Sequence, residues 1–250
     1  MTYPQKIGIL AALPQEISWA IKEMEIWRRS ELPGGWMSEG RLWGREVAVA
    51  ITGMGKRSEE AVDSLARVCS LHSLLSCGFG GGTAENLKKG EAVICQGIVQ
   101  PEKGELFSNE RLCLQAAQAL AQAGIPFSYG RGLTVSRFIS DPQEKMTLAK
   151  RYGVQVVDME SFWEAKVAAS WGIPFLAVRF ISDTLTEQLP RFEQFIGVQG
   201  DWQIGRATSY FISHPLEILA VPGFLLGSWK AKWSLSRFLK FYLEGFDESK

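Results

Sequence analysis

The sequence predicts an α/β fold, with three layers (αβα) around a central mixed, largely parallel sheet and a C-terminal helical extension. Three observations predict it. Short apolar runs bounded by glycine or polar residues alternate with longer stretches of helical period. Such alternation is typical of sheets whose strands are joined by helices. From residue 201 onward the pattern becomes helical only.

Seven apolar runs have the length and boundaries of strands. They are residues 7–12, 47–52, 73–79, 91–99, 133–136, 155–158 and 175–181. Residues 36–44 predict one further strand, which would form a hairpin with the strand that begins at Val47.

Five stretches between these strands have helical period. They are residues 14–27, 58–72, 109–123, 142–152 and 161–171. Several open with a proline, serine or aspartate start signal, and Gly124 and Gly172 are the matching stops.

The tail predicts an appendage rather than a second independent domain. We expect one α/β domain over residues 1–200 and a helical extension over 201–250 packed on it, with breaks at His214-Pro215 and Pro222-Gly223. The last helix should span residues 228–246 and present one apolar face. That face contains Leu235, Phe238, Leu239, Tyr242 and Phe246.

Composition excludes several classes of protein. Lysine plus arginine (27) equals aspartate plus glutamate (27), which argues against a nucleic-acid partner and favours a small substrate. The four cysteines lack C-x-x-C spacing and the two histidines stand far apart, so no metal site or disulfide framework is indicated, and buried reduced thiols are expected. The longest uncharged apolar stretch is too short to span a membrane, and we expect a cytoplasmic protein.

Four groups of polar residues and glycines follow predicted strands, where α/β sheets bind ligands. They are residues 11–16 (AALPQE), 78–83 (GFGGGT), 158–161 (DMES) and 179–183 (RFISD). Each alone is explained by a tight turn or a helix cap. In this order and spacing they resemble the purine and uridine phosphorylase superfamily, most closely its methylthioadenosine/S-adenosylhomocysteine nucleosidase branch, over residues 7–183. The resemblance implies a nucleoside phosphorylase-like fold, a homodimer and no cofactor.

The resemblance implies a role for each residue of the last two motifs. Asp183, beside the substrate-contacting Ser182, would donate a proton to the purine N7, a service worth on the order of 100- to 10,000-fold provided the carboxyl is protonated near neutral pH. Glu160 would accept hydrogen bonds from the ribose hydroxyls and face the positive charge that grows on the sugar, with Met159 beneath the ring. Arg179 would help to position the nucleophile, although a strand-end surface arginine is an equal alternative.

Glu16 separates hydrolysis from phosphorolysis. The resemblance implies a water-activating glutamate here in nucleosidases, and a phosphate-binding glycine and arginine in phosphorylases. Because no arginine occurs between Ile7 and Lys22, and because a carboxylate about 4 Å from one negative charge costs on the order of 4 kcal/mol at an effective dielectric near 20, water is the expected nucleophile. A phosphate-dependent phosphorylase is the alternative enzyme.

Two segments depart from the family pattern. Where nucleosidases have a serine that contacts the water, this chain has Phe79, followed by Gly80, which predicts slower hydrolysis or a differently held nucleophile. That departure also leaves a non-catalytic adenosine-binding module as an alternative. Phe138 and Ile139 match the positions that stack on the base and read its edge, but Arg137 intrudes into that motif.

The tail resembles that of the hopanoid-associated branch, which implies an adenosyl group joined to a polycyclic lipid as substrate. Its basic, tryptophan-bearing helix has the composition of a helix that rests on a membrane surface. Packing over the core or in a dimer interface is the competing interpretation. In either case the expected substrate is an adenine nucleoside.

Overall fold

A computed structural model describes residues 6–191, 210 and 213–245. Its sheet contains ten strands, which are β1 (Ile7–Ala11), β2 (Glu25–Leu32), β3 (Gly35–Leu42), β4 (Arg45–Ile51), β5 (Ser73–Gly82), β6 (Ala92–Gln100), β7 (Gly104–Phe107), β8 (Phe127–Thr134), β9 (Val156–Asp158) and β10 (Phe175–Asp183). The helices of the described part are α1 (Pro14–Lys22), α2 (Ser58–Val68), α3 (Glu110–Gln122), α4 (Pro142–Tyr152), α5 (Ser161–Trp171) and α6 (Val221–Glu244).

The mixed sheet is confirmed, and part of it closes on itself. The strands run in the order β10-β6-β8-β9-β5-β1-β4-β3-β2, with β7 on β6, and β10 also pairs with β5. Five of the ten pairings in the described part are parallel, and these include β1 with β4 and β5, and β5 with β10. The closure brings the ends of β5, β9 and β10 together, as a site built from several strand ends requires.

Helices cover both faces of the sheet and give the predicted three layers. On one face α1, α3 and α6 pack against strand residues such as Ile9 and Val178. On the other, α2 and α5 pack against Leu74 and Ala177, while α4 covers a smaller cluster around Leu133. Neighbouring residues along β1 and β10 therefore serve different cores, which explains why these strands are apolar throughout rather than alternating.

Helices α4 and α5 occupy the predicted ranges, and local signals explain both. Asp141 caps α4 by accepting a hydrogen bond from the Gln143 amide at 3.0 Å, with Pro142 at the first helical position. The helices end at Gly153 and Gly172, which have φ values of 62° and 65°. This left-handed conformation costs glycine little, so the predicted stop at Gly172 is confirmed.

The predicted helix 14–27 is too long. Helix α1 ends at Lys22, and the next segment forms β2, an edge strand that pairs antiparallel with β3 through a turn at Pro33-Gly34. Gly34 has a φ of 74°. The Pro-Gly turn signal, together with the β-branched and aromatic pair Ile26-Trp27, was the evidence for a hairpin here.

The strand predicted at 133–136 is also misplaced, because β8 spans Phe127–Thr134. Gly130 and Gly132 suggest breaks, but both lie within the strand, where a Cβ would meet Gln155 at 2.7 Å and Cys95 at 3.2 Å. Close packing rather than a turn therefore accounts for them. The short strand β7 was not predicted.

Helix α6 is longer than predicted at its start and lies against the strand that carries the site. Pro222 falls in its first turn, where the missing amide is tolerated, so the predicted break there is wrong. Gly227 contacts β10 so closely that a Cβ would lie 1.8 Å from the Ser182 carbonyl oxygen. The predicted apolar face is buried at Leu235, Phe238, Leu239 and Tyr242.

Two other predictions about the tail fall on residues that the structure does not describe. Phe246 and the division of the chain at residue 200 lie outside the described residues, so the division stays a prediction. None of the described helices is both long enough and apolar enough to cross a bilayer.

Candidate active site

Glu16 lies in the first turn of α1 and is buried, with both carboxylate oxygens held by backbone amides. Oε2 accepts a hydrogen bond from Leu13 N at 2.9 Å and Oε1 accepts one from Phe79 N at 2.8 Å. Burial raises the pKa of Glu16, while these amides and the charge of Arg179 act in the opposite direction. A carboxylate that is fixed in place and whose pKa is raised has the properties of a general base.

The glycine-rich segment belongs to strand β5 rather than to a loop after it. Gly78, Gly80 and Gly81 pair with residues of β10, and Gly81 also pairs with β9. A Cβ on Gly78 would lie 2.5 Å from Oε1 of Glu16. A Cβ on Gly80 would lie 2.6 Å from Val156 Cγ2. The glycines are therefore needed because the Glu16 carboxylate and strand β9 approach the backbone closely. Phe79, half-buried, contributes its amide to Glu16.

Arg179 is buried, so the interpretation as a surface arginine is wrong. Its Nε donates to Asp158 at 2.8 Å and its Nη2 donates to the Ser76 hydroxyl at 2.7 Å. Burial lowers the pKa of Arg179, but the neighbouring carboxylates outweigh it and raise the pKa, with Asp158 the largest of them. Arg179 thus supplies a permanent positive charge among several acids.

Glu160 is buried at the start of α5 and accepts a hydrogen bond from the Gly55 amide at 2.7 Å. Asp158, rather than Glu160, binds the first turn of α5, through the Ser161 amide and hydroxyl. Burial first, and then the charge of Asp158, raises the pKa of Glu160 to about 8. A helix-start role does not explain a carboxylate in this state, which favours a functional one. Met159 lies beside Gly55, half-buried.

Asp183 ends strand β10 and forms an ion pair with Lys145 of α4, and both side chains are buried. The Ser182 hydroxyl donates to Oδ1 of Asp183 at 2.6 Å. Gly81 lies against the pair, since a Cβ there would be 3.1 Å from Oδ2 of Asp183 and 3.7 Å from Cε of Lys145. Lys145 was not predicted, because its place in a polar helix gave no signal of burial.

Phe138 and Ile139 lie in the segment between β8 and α4, as predicted from the family pattern. Ile139 is buried, and the half-buried Phe138 makes an edge-to-face contact with Phe224 of α6 at a centroid distance of 6.4 Å. Helix α6 therefore borders the position where the resemblance places the base.

One small cavity brings four of the predicted residues together. It measures about 10 Å³ and is lined by Glu16, Phe79, Glu160 and Arg179, together with two polar residues that were not predicted, Ser76 and Glu164, and by Leu10, Ala12, Cys77 and Gly78. We call this space the carboxylate cavity. The other six predicted residues are not among its lining residues, namely Asp183, Ser182, Met159, Phe138, Ile139 and Gly80.

Glu164 is a further buried carboxylate in this cavity. Its Oε1 accepts a hydrogen bond from the Thr52 hydroxyl at 3.2 Å, while its Oε2 has no hydrogen-bond partner among the described residues. Burial raises its pKa, against the charge of Arg179. The sequence offered a signal, because Glu164 stands three and four residues before the apolar Val167 and Ala168, on a helix face where a charge is unexpected.

A larger surface groove, about 710 Å³, lies elsewhere, between α2 and α5. Its lining is mostly charged and includes Lys56, Arg57, Asp63 and Lys166. It contains none of the predicted site residues. Lys166 forms an exposed ion pair with Glu59 there, as is common on solvated helix faces.

No group of three or more potential metal ligands occurs in the described part of the chain. The four cysteines are buried and unpaired. Burial raises the pKa of Cys69 to about 11, so this thiol stays protonated near neutral pH.

Comparison with known proteins places this geometry in a family context. A family model described as "Phosphorylase superfamily" matches residues 6–204. A 5′-methylthioadenosine/S-adenosylhomocysteine nucleosidase of Shewanella pealeana is 25% identical over 211 residues, which cover 76% of this chain and 92% of that protein. One from Haemophilus ducreyi is 28% identical over 196 residues, covering 71% and 84%.

Solved structures agree on the fold. A futalosine hydrolase of Helicobacter pylori superimposes with a TM-score of 0.76 at 21% identity, covering 97% of this chain and 98% of that one. A 5′-methylthioadenosine/S-adenosylhomocysteine nucleosidase of Neisseria meningitidis, in complex with methylthio-immucillin-A, gives a TM-score of 0.77 at 19% identity, covering 97% and 100%.

Proposed function

The chain belongs to the phosphorylase superfamily and is an enzyme of the nucleosidase kind, and we propose that it hydrolyses the N-glycosidic bond of an adenine nucleoside to release adenine. The observation that carries the proposal is the carboxylate cavity, in which three glutamates and one arginine surround a space of about 10 Å³. That volume is close to the smallest that holds one water molecule, roughly 10 to 15 Å³.

Water fits the cavity better than phosphate. Glu16, Glu160 and Glu164 line it, and the positive charge of Arg179 is already shared with Asp158. A phosphate anion would therefore meet several carboxylates at short range, and each ionised one costs on the order of 4 kcal/mol at about 4 Å. A neutral water avoids this repulsion.

Ser76 compensates for the aromatic residue at position 79. Its hydroxyl accepts a hydrogen bond from Arg179 at 2.7 Å and lines the same cavity as Glu16. We propose that Glu16 takes the proton of the attacking water while Ser76 and Arg179 orient it, so that the departure at Phe79 leaves hydrolysis intact. Glu160 would hold the ribose hydroxyls, and Asp183 would protonate the leaving purine.

Incubation of the protein with methylthioadenosine, S-adenosylhomocysteine and adenosine in phosphate-free buffer tests the assignment. We expect free adenine and a free reducing sugar, with no stimulation by added phosphate. A strict phosphate requirement would make the protein a phosphorylase. Equal binding by the wild type and Asp183→Asn, with turnover by neither, would make it a non-catalytic adenosine-binding module.

Helix α6 favours a substrate whose 5′ substituent is apolar, such as an adenosyl group on a polycyclic lipid. Its Phe224 contacts Phe138, and its Gly227 lies on Ser182. The same helix exposes a stripe of large apolar side chains next to Lys230, namely Leu225, Leu226, Trp229 and Trp233. Adenine release across adenosines with small and lipid-like 5′ groups tests this. A higher kcat/KM for the lipid-like substrates is expected, and a preference for the smallest would contradict it.

The exposed stripe and the exposed Lys230 beside it also suit contact with an anionic membrane surface. In flotation with vesicles containing phosphatidylglycerol, the wild type should float, whereas Trp229→Glu should not. Leu114→Glu changes an equally exposed apolar residue on α3 and should float like the wild type. Failure of the wild type to float would exclude the membrane contact.

A homodimer, which the family resemblance implies, is tested by sedimentation equilibrium.

A further inference from the structure

Lys145 is a fully buried lysine that meets the functional carboxylate at the end of β10. Its ammonium contacts Asp183 Oδ2 and donates to the Thr184 carbonyl at 3.0 Å, and its side chain is 0% exposed. A buried ammonium without a counter-charge is strongly disfavoured, so Asp183 holds Lys145 in place electrostatically. The effect of Lys145 on Asp183 bears on how Asp183 obtains a proton.

Asp183 can act as an acid only if a proton reaches it. Its Oδ1 accepts a hydrogen bond from the Ser182 hydroxyl, and its Oδ2 accepts one from the Lys145 ammonium. The three glutamates of the carboxylate cavity make no hydrogen bond with Asp183 among the described residues. Of the two groups that contact Asp183 among the described residues, the hydroxyl is far too weak an acid to give up its proton, and the ammonium is the stronger acid.

We propose that Lys145 is the proton source for leaving-group departure, acting through Asp183. This inference rests on the proposed function. In the step, a proton moves from Nζ of Lys145 to the Asp183 carboxylate, and Asp183 passes a proton to the purine N7. The C–N bond breaks with its electron pair going to the purine, water bonds to the anomeric carbon, and its proton goes to Glu16. Lys145 is left neutral and Glu16 protonated, and exchange with solvent restores both.

The surrounding backbone keeps the pair intact. Lys145 projects from α4, whose start is fixed by Asp141 and Pro142, and Gly81 leaves the space that the pair occupies. The ion pair also joins α4 to β10, which is the competing, merely structural role. The experiment must therefore separate the supply of a proton to Asp183 from the joining of α4 to β10.

The test compares Lys145→Met and Lys145→Arg with Lys89→Met, in the full-length protein. Lys89 is the matched control, because it forms an ion pair with Glu187 and donates to the Gly223 carbonyl close by, without touching Asp183. Two quantities are measured for each: kcat for methylthioadenosine, and the Kd of its 7-deaza analogue, in which carbon replaces N7. The analogue reports an intact site and cannot be protonated at that position.

With Lys145→Met we expect kcat to fall on the order of 100-fold or more, the size of a general-acid contribution, while the Kd of the 7-deaza analogue stays at the wild-type value. Lys145→Arg should not restore turnover, because a guanidinium keeps its proton in proteins. Lys89→Met should retain wild-type turnover.

Rescue by arginine would overturn the inference, since positive charge alone would then suffice. A loss of analogue binding in parallel with turnover would assign Lys145 the structural role. If the wild type hydrolyses methylthioadenosine and Lys145→Met does so equally well, this inference fails alone. If the wild type releases adenine from no nucleoside, the proposed function fails first.

Discussion

The carboxylate cavity and the Asp183–Lys145 pair lie near the same strand ends but differ in charge. The cavity gathers three glutamates around one arginine that is already shared with Asp158, and burial raises the pKa of each of these glutamates. The pair contains one carboxylate and one ammonium and is neutral as a unit. The two regions therefore suit opposite ends of the glycosidic bond.

An excess of carboxylates suits the sugar side of the reaction. Positive charge develops on the ribose as the bond breaks, and carboxyl groups placed beside it stabilise that charge once they are ionised. A neutral pair with a mobile proton suits the purine side, where negative charge would otherwise build on the leaving group. Four substitutions test this contrast, and we expect the greatest loss of activity from the change at Asp183.

Asp183→Asn should be the most damaging change, because it removes the proposed general acid and leaves the Lys145 ammonium buried without its counter-charge. We expect kcat for adenine release to fall by on the order of 1,000-fold or more. Steady-state kinetics with methylthioadenosine measure it. Asp63→Asn, at an exposed ion pair with Arg67, is the control and should retain activity. Near-normal turnover by Asp183→Asn would remove Asp183 from the mechanism.

Glu16→Gln should lower kcat by on the order of 100-fold, because an amide can still meet one backbone N–H but cannot take a proton from water. Glu23→Gln, at the end of the same helix, should have no such effect. Azide, a small nucleophile that needs no base, would be expected to restore part of the turnover. Absence of a kcat loss in Glu16→Gln would mean that another carboxylate is the base.

Glu164→Gln should lower kcat by roughly 10-fold, a part of a general-base contribution, if Oε2 helps to hold the water. Glu39→Gln is a matched control, since Glu39 is a buried carboxylate paired with Lys6 outside the cavity. It should lower stability rather than kcat. For each variant, kcat is divided by the fraction of the protein that is folded. If Glu164→Gln and Glu39→Gln give the same ratio, Glu164 has a structural role.

Glu160→Gln should change the pH dependence of stability. Because burial raises the Glu160 pKa to about 8, the folded protein retains a proton that the unfolded chain loses above about pH 4.3. Stability is therefore lost as pH rises between these values, by at most about 1.4 kcal/mol per pH unit from this group. Urea unfolding from pH 5 to 8 should show a shallower decline in the variant. An unchanged slope would mean that Glu160 ionises normally.

Parts of this molecule followed from local sequence, and others did not. Helices α4 and α5 occupy their predicted ranges because caps, proline and glycine act within a few residues. The segment Glu25–Leu32 was predicted as helix because its partner, β3, lies beyond a turn, and strand pairing is a property of two segments together.

The site shows the same division. Glu16 and Glu160 follow strands and Arg179 and Asp183 lie within β10, and their motifs could be recognised along the chain. Ser76, Glu164 and Lys145 carry no motif, because what distinguishes them is burial beside a charge. Glu164 comes from the middle of α5 and Lys145 from α4, and only folding brings them to the strand ends.

Residue type and spacing were enough to predict most of the order of elements, the family motifs and the carboxylates suited to glycosidic-bond cleavage. Tertiary structure alone decided that Arg179 is buried between Asp158 and Ser76, that Gly78 makes room for Glu16, and that Asp183 is paired with Lys145. The physical reason is that desolvation and charge pairing depend on distances across the fold, which no single segment contains.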